Sequence, residues 1–85
     1  MEFVLSRHAR EEMTRRAIPL ALLHGVLSNP QQIVDEYGGK KAFQSRVEIG
    51  GRMYLLRIII SDISVPPVVI TVYRTSKISK YWREP

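Results

Sequence analysis

The side chains best suited to chemistry lie near the carboxyl end, where an apolar segment turns into a basic and aromatic one. Val68–Arg74 has the composition of a buried strand, and the residues after it carry hydroxyls, rings and positive charges. Cations bind phosphate groups, and aromatic rings stack on unpaired bases. Four residues combine these properties as candidate contacts for a phosphate-rich partner: Arg74, Lys77, Lys80 and Tyr81. A plainer interpretation places the rings in the core and the lysines in solvent.

A histidine near the amino end is a second candidate. His8 lies in the first turn of a predicted helix, and an imidazole with an ordinary pKa exchanges protons near neutral pH. Its alternative role is an exposed or capping histidine that pairs with Glu12 one turn later. With two histidines and no cysteine, the chain is expected to hold no metal site and no cofactor.

Metal-free cleavage of RNA can be built from a histidine, tyrosines and cations. A base removes the proton of the 2′-hydroxyl, an acid protonates the leaving 5′-oxygen, and cations stabilise the phosphorane. Tyr73, at the end of the last predicted strand, adds a phenol to this set.

The composition limits the class of protein. Eighty-five residues with 45% hydrophobic content predict one domain, residues 1–85, with a genuine core. Thirteen cations against eight anions give a net charge of +5, which favours nucleic acid, an acidic protein or an anionic surface as partner. No cysteine, no signal-like start and no apolar run near the roughly 20 residues of a membrane span predict a cytoplasmic protein without a membrane partner.

The elements that would position these residues follow the order β-α-α-β-β-β-β. Ser6 is a good N-cap for a helix from Arg7 to about Arg16, which Ile18-Pro19 is expected to end. A second helix presents Leu23 and Leu27 on an apolar face. The predicted strands are Glu2–Leu5, Gln32–Tyr37, Phe43–Ile49, Arg52–Ser61 and Val68–Arg74. The fold expected is α+β: two helices on one face of a four-stranded antiparallel meander, with or without a short amino-terminal edge strand.

Alternation along the strands divides the predicted sheet into two faces. The apolar face receives the helices and takes Val68, Ile70 and Val72 from the last strand. The other face collects polar and basic residues, with no helix expected over it: Gln44, Arg46, Glu48, Arg57, Thr71 and Tyr73. Arg46 and Arg57 are therefore predicted as RNA contacts on an open surface, provided that the register holds.

Motifs at the two ends of the chain resemble those of a known family. Ser6-Arg7-His8-Ala9 is followed closely by Arg15-Arg16-Ala17-Ile18, and the last strand ends with Thr71-Val72-Tyr73-Arg74. This pattern resembles a family of small bacterial domains that looks like a relative of the RelE and BrnT toxins. Their fold is shared with barnase-like and colicin-like ribonucleases. The resemblance covers the element order of the whole chain, but its motifs cover only the ends.

The resemblance implies a toxin-like endoribonuclease that cleaves RNA, including ribosome-associated mRNA, and is held by a cognate antitoxin. Carried over residue by residue, the implied catalytic set is His8, Arg15, Arg16, Thr71 and Tyr73. Arg46 and Arg57 rest on the alternation alone.

Two alternatives remain open at this point. The first is a non-catalytic module of the same fold that binds nucleic acid or pairs with an antitoxin. The second is a homodimeric structural protein, because Leu55, Ile59 and Val69 on the arginine-bearing face would need cover.

Overall fold

A computed structural model describes residues 1–85 and has an α+β architecture, with three helices and a five-stranded mixed sheet. The elements are β1 (Val4–Leu5), α1 (Arg7–Arg15), α2 (Leu20–Ser28), β2 (Gln32–Asp35), β3 (Lys41–Ile49), β4 (Arg52–Ser61), β5 (Val68–Thr75) and α3 (Ile78–Tyr81). The sheet order is β1-β5-β4-β3-β2. Strands β2 to β5 form the predicted antiparallel meander. The edge strand β1 pairs with β5 in parallel and makes the sheet mixed.

Helix α1 begins as predicted, but a different structural feature ends it. The hydroxyl of Ser6 accepts a hydrogen bond from the backbone N–H of Ala9 at 3.0 Å, which confirms the N-cap. At the other end, Ala17 adopts a φ of 53°. The N–H of Ile18 then donates to the carbonyl of Met13 at 2.9 Å, and the N–H of Ala17 donates to the carbonyl of Thr14 at 3.3 Å. These two bonds form a Schellman cap, so the helix has already closed before Pro19.

The main core lies between the sheet and the two long helices. Its buried members are all apolar: Ala9, Met13, Ile18, Leu23, Val26, Leu27, Leu56, Ile58, Ile60, Val69 and Val72. We call this side of the sheet the helix side, and the opposite side the far side.

A bulge between β4 and β5 changes the alternation that the sequence predicts. Val72 lies opposite Ile58, but Val69 lies opposite Ile60, because the register shifts between Ile59 and Ile60. An extra residue in one strand of a pair reverses the sides on which the following residues lie. Val69 is therefore fully buried in the core, whereas Val68 and Ile70 are only half-buried. The prediction is correct for Val72 and wrong for the other two.

The far side is not open, contrary to prediction. Residues 76–85, which we call the C-terminal tail, turn back across it and include α3. The side-chain amide of Gln44 donates to the carbonyl of Tyr81 at 3.3 Å. The amide of Gln32 donates to the carbonyl of Arg83 at 2.6 Å and accepts from its N–H at 3.1 Å. The tail is therefore attached through its backbone.

This cover removes the observation that favoured a homodimer. Leu55 and Ile59 are buried within the single chain, and Val69 lies on the helix side. None of the three requires a second copy.

Candidate functional site

The two ends of the chain meet at His8 and Thr71. Nε2 of His8 lies 3.0 Å from Oγ1 of Thr71, although the two residues are 63 positions apart. The contact follows from the topology, because β1 runs parallel to β5 with Leu5 opposite Val69, and α1 starts two residues later. The hydroxyl of Ser6 adds a bond to the carbonyl of Ile70 at 2.8 Å. His8 itself is exposed, so its imidazole is accessible to a ligand.

Tyr73 lies on the same side of β5 as Thr71, two residues further along the strand. The spacing of a strand puts their Cα atoms roughly 6.5–7 Å apart. The hydroxyl of Tyr73 accepts a hydrogen bond from Nη1 of Arg57 at 2.6 Å. Burial raises the pKa of Tyr73, and the opposing effect of Arg57 does not cancel that rise. The phenol is therefore protonated at neutral pH.

Arg57 is buried at the centre of a polar network on the far side. It is 2% exposed and uses three nitrogens. Nε donates to Gln44 at 2.8 Å, Nη1 to Tyr73, and Nη2 to Glu36 at 2.8 Å. Burial alone would lower the pKa of Arg57, but the bonds to Glu36 and Tyr73 outweigh it and raise the pKa. The guanidinium stays charged.

The network makes Arg57 a positioning residue. Its guanidinium carbon lies 4.4 Å from the centroid of the Tyr81 ring, which lies over it. The expectation that Arg57 lies on an open surface is wrong, because the tail covers it and leaves it 2% exposed. Its hydrogen bond instead holds the hydroxyl of Tyr73 in place.

Arg15 and Arg16 share one carboxylate. Arg15 donates two hydrogen bonds to Glu12, at 2.8 and 2.7 Å, and Arg16 donates one at 3.2 Å. The hydrogen bond from Arg15, supported by Arg16 and opposed by burial, lowers the pKa of Glu12 to about 2. Two cations against one anion leave a net positive charge at this end of α1. Arg16 also places its guanidinium carbon 6.0 Å from the ring centroid of Tyr73.

The residues predicted as RNA contacts do not form one surface. Arg46 is exposed on the far side, and its guanidinium carbon lies 4.2 Å from the ring centroid of Trp82. Arg74 lies opposite Leu56 and therefore on the helix side. Lys77 and Lys80 are exposed on the tail, and Tyr81 is half-buried above Arg57. Because successive residues of a strand point to opposite sides, Tyr73 and Arg74 could not share a face.

The sequence reasoning missed two kinds of functional candidate. Glu36 follows β2 and reaches Arg57 only through the tertiary structure, so no local pattern marks it. Arg52 and Tyr54, by contrast, share one side of β4 by simple alternation. Their i, i+2 spacing beside a Gly-Gly turn was a signal that could have been used.

The chain matches the model of a protein family described as a domain of unknown function, DUF4258, over residues 5–74. The matched region contains His8, Thr71 and Tyr73 but not the C-terminal tail. No curated protein and no solved structure matches the chain. None of the helices has the length and apolar character needed to cross a membrane. Since the match covers most of its length, the chain belongs to the DUF4258 family.

Proposed function

We propose that the protein is a metal-independent endoribonuclease of the RelE/BrnT toxin type, acting in the cytoplasm. The observation that supports this proposal is the contact between His8 and Thr71, with the protonated phenol of Tyr73 on the same side of β5. An accessible imidazole that contacts Thr71, and a protonated phenol two residues further along the same strand, are suited to base and acid roles on one phosphodiester.

In the proposed reaction, His8 accepts the proton of the 2′-hydroxyl while the 2′-oxygen attacks phosphorus. Tyr73 gives its proton to the 5′-oxygen as the bond from phosphorus to that oxygen breaks. The products are a 2′,3′-cyclic phosphate and a 5′-hydroxyl. Thr71 is a positioning residue that holds the imidazole through its 3.0 Å contact. The positive charge of Arg15 and Arg16 stabilises the phosphorane.

The toxin assignment adds two partners to the proposal. The substrate is mRNA, free or on the ribosome, and an acidic antitoxin segment covers the cationic surface. The end motifs and the net charge of +5 support these partners.

A cleavage assay on the purified full-length chain tests the enzyme proposal. Labelled RNA is incubated in the presence of a chelator with the unmodified protein and with His8→Ala, Tyr73→Phe and His24→Ala variants. Loss of an acid or base is expected to slow cleavage by about 10²–10⁴-fold in the first two variants. His24 is the matched control, because it is exposed and packs against Phe3, with ring centroids 5.1 Å apart in a tilted arrangement, whereas the histidine that contacts Thr71 is His8.

The products provide a second check, since cyclic phosphate ends are expected. The proposal fails if the unmodified protein does not cleave RNA, or if His8→Ala and His24→Ala cleave it equally well.

A non-catalytic RNA-binding module is the second candidate, and one observation favours it. Arg57, Arg15 and Arg16 are all in ion pairs, whereas the exposed Arg46 stacks on Trp82 and has no carboxylate partner. Binding of RNA that persists in His8→Ala, without turnover by the unmodified protein, would favour this candidate.

A further inference from the structure

Two arginines flank a tyrosine at the hairpin end of the sheet, on the helix side. The guanidinium carbon of Arg74 lies 4.7 Å from the ring centroid of Tyr54, and that of Arg52 lies 5.8 Å from it. The register places all three on the same side of the sheet. Arg52 lies opposite Ile49 of β3, and Tyr54 lies opposite Val47 of the same strand. Arg74 lies opposite Leu56 of β4. We call these three residues the Tyr54 cluster.

The charges of the Tyr54 cluster are not compensated within the chain. Every ion pair in the structure uses another cation: Arg7, Arg15, Arg16, Lys41 or Arg57. The helix-side positions of β3, β4 and β5 carry no carboxylate that could pair with it. Glu48, the acidic residue nearest in the register, lies opposite Met53 on the far side. The two guanidinium groups next to the Tyr54 ring therefore have no carboxylate partner in the chain and can bind an anion.

We propose that the Tyr54 cluster binds a backbone phosphate of single-stranded RNA, an inference that rests on the proposed ribonuclease function and deepens it. The ring holds a guanidinium plane by cation–π contact and leaves the N–H donors at its edge free. Those donors form a planar fork that matches two phosphate oxygens. Because the ring has already ordered the side chain, less conformational entropy is lost on binding.

The position of the cluster connects it to the proposed catalytic residues. Arg74 directly follows Tyr73, and the carboxyl-terminal end of α1, with its net positive charge, lies beside Tyr73. Tyr73 and Arg74 point to opposite sides of β5, so an RNA strand that passes His8 and Tyr73 reaches the cluster by crossing the edge of β5, which β1 pairs only at Val68 and Val69. The cluster holds the strand and takes no part in the bond-breaking step.

Binding of RNA that cannot be cleaved tests the proposal without depending on catalysis. The probe is a fluorescently labelled single-stranded RNA with 2′-O-methyl groups, which lacks the attacking hydroxyl, and its anisotropy is measured from low to high salt. Arg52→Gln and Arg74→Gln are each expected to weaken binding about fivefold, the usual effect of one net hydrogen-bonded contact. The double variant, which removes both cations from the one bound phosphate, is expected to reduce the slope of log K against log salt by about 0.7, the value for one phosphate.

Further variants distinguish the contributions of the Arg74 guanidinium fork and of the Tyr54 ring from the contribution of charge alone. Arg74→Lys keeps the charge but loses the fork, so an intermediate affinity is expected. Tyr54→Phe keeps the stacking ring and should bind normally, whereas Tyr54→Leu should bind less well. Lys40→Gln is the matched control, since it removes one unpaired cation next to the Lys41–Ile60 pair, at the opposite end of the sheet. Circular dichroism confirms that each variant folds.

Three outcomes would overturn the proposal. Arg52→Gln and Arg74→Gln could bind RNA as Lys40→Gln does, or the unmodified protein could fail to bind the probe. Polyglutamate could also displace the probe as well as unlabelled RNA at equal charge, which would make the cluster a site for an acidic polypeptide.

The outcomes for the cluster and for catalysis are distinct. Arginine-dependent binding without cleavage of ordinary RNA would refute the enzyme and support the phosphate site. Cleavage together with binding that does not depend on Arg52 or Arg74 would refute the site and leave the enzyme standing.

Discussion

Glu12 shows how far the fold changes the chemistry of a single residue. Its side chain is mostly buried, yet the hydrogen bonds from Arg15 and then Arg16 lower its pKa from 4.5 to about 2. The same contact raises the pKa of Arg15. A carboxylate whose pKa is lower in the folded state than in the unfolded state stabilises the fold when it is ionised.

This stabilisation has a defined pH range. It is fully present above about pH 4.5 and is lost as the pH falls through the folded value of about 2. A Glu12→Gln variant should therefore be less stable than the unmodified protein at pH 7, and the difference should shrink as the pH approaches 2. Urea unfolding at several pH values measures it.

Glu11→Gln is the matched control, because Glu11 forms an exposed pair with Arg7 on the same helix, and such pairs contribute little. An equal loss of stability for Glu12→Gln at pH 7 and pH 2 would contradict the argument.

At the scale of elements, the C-terminal tail depends on the sheet for its structure. Helix α3 has four residues, far fewer than an isolated helix needs in water. The tail is held by hydrogen bonds from the side chains of Gln32 and Gln44 to its backbone carbonyls. The rings of Tyr81 and Trp82 also pack on the guanidinium groups of Arg57 and Arg46, respectively.

Loss of the Gln32 contacts should release the end of the tail. A Gln32→Ala variant is expected to make Trp82 more accessible to acrylamide, because the amide no longer holds the backbone of Arg83. Trp82 is the single tryptophan of the chain, so its fluorescence reports on the tail directly. Faster hydrogen exchange at the Arg83 amide is the second readout.

Gln31→Ala is a matched control for this prediction. The side chain of Gln31 accepts from the N–H of Arg46 at 2.9 Å and has no bond to the tail. Equal quenching of Trp82 in both glutamine variants would show that Gln32 does not hold the tail.

At the scale of the whole molecule, Arg57 joins parts of the chain that are distant in sequence. From β4 it bonds to Gln44 on β3, to Tyr73 on β5 and to Glu36 after β2. Tyr81 of the tail lies over it. Each buried polar atom in this network has a partner, so the removal of one member leaves others unsatisfied.

An Arg57→Met variant should therefore be destabilised by about 2–4 kcal/mol, the range for breaking a buried ion pair that also holds neutral hydrogen bonds. Urea unfolding followed by circular dichroism measures the change. Arg46→Met removes an exposed arginine of the same face and should cost no more than about 1 kcal/mol, because only a surface cation–π contact is lost. Similar stability of the two variants would contradict a structural role for Arg57.

The sequence by itself determined the local elements of this protein. Ser6 caps α1, and alternation assigns the sides of β3 and β4 correctly, with Gly50 and Gly51 at φ values of 59° and 80° in the turn between them. These features depend on neighbours along the chain, since backbone preferences and side-chain period act over a few residues. The resemblance of the end motifs also implied that His8 and Thr71 belong to one site; the structure places their side chains 3.0 Å apart, and their role in a reaction is part of the proposed function.

Only the tertiary structure decided which residues are open to a partner. The bulge between Ile59 and Ile60 moved Val69 into the core, and the tail buried Arg57 while leaving Arg46 exposed. The physical reason is that a register shift and a docked tail depend on contacts between segments far apart in sequence. No local period encodes them.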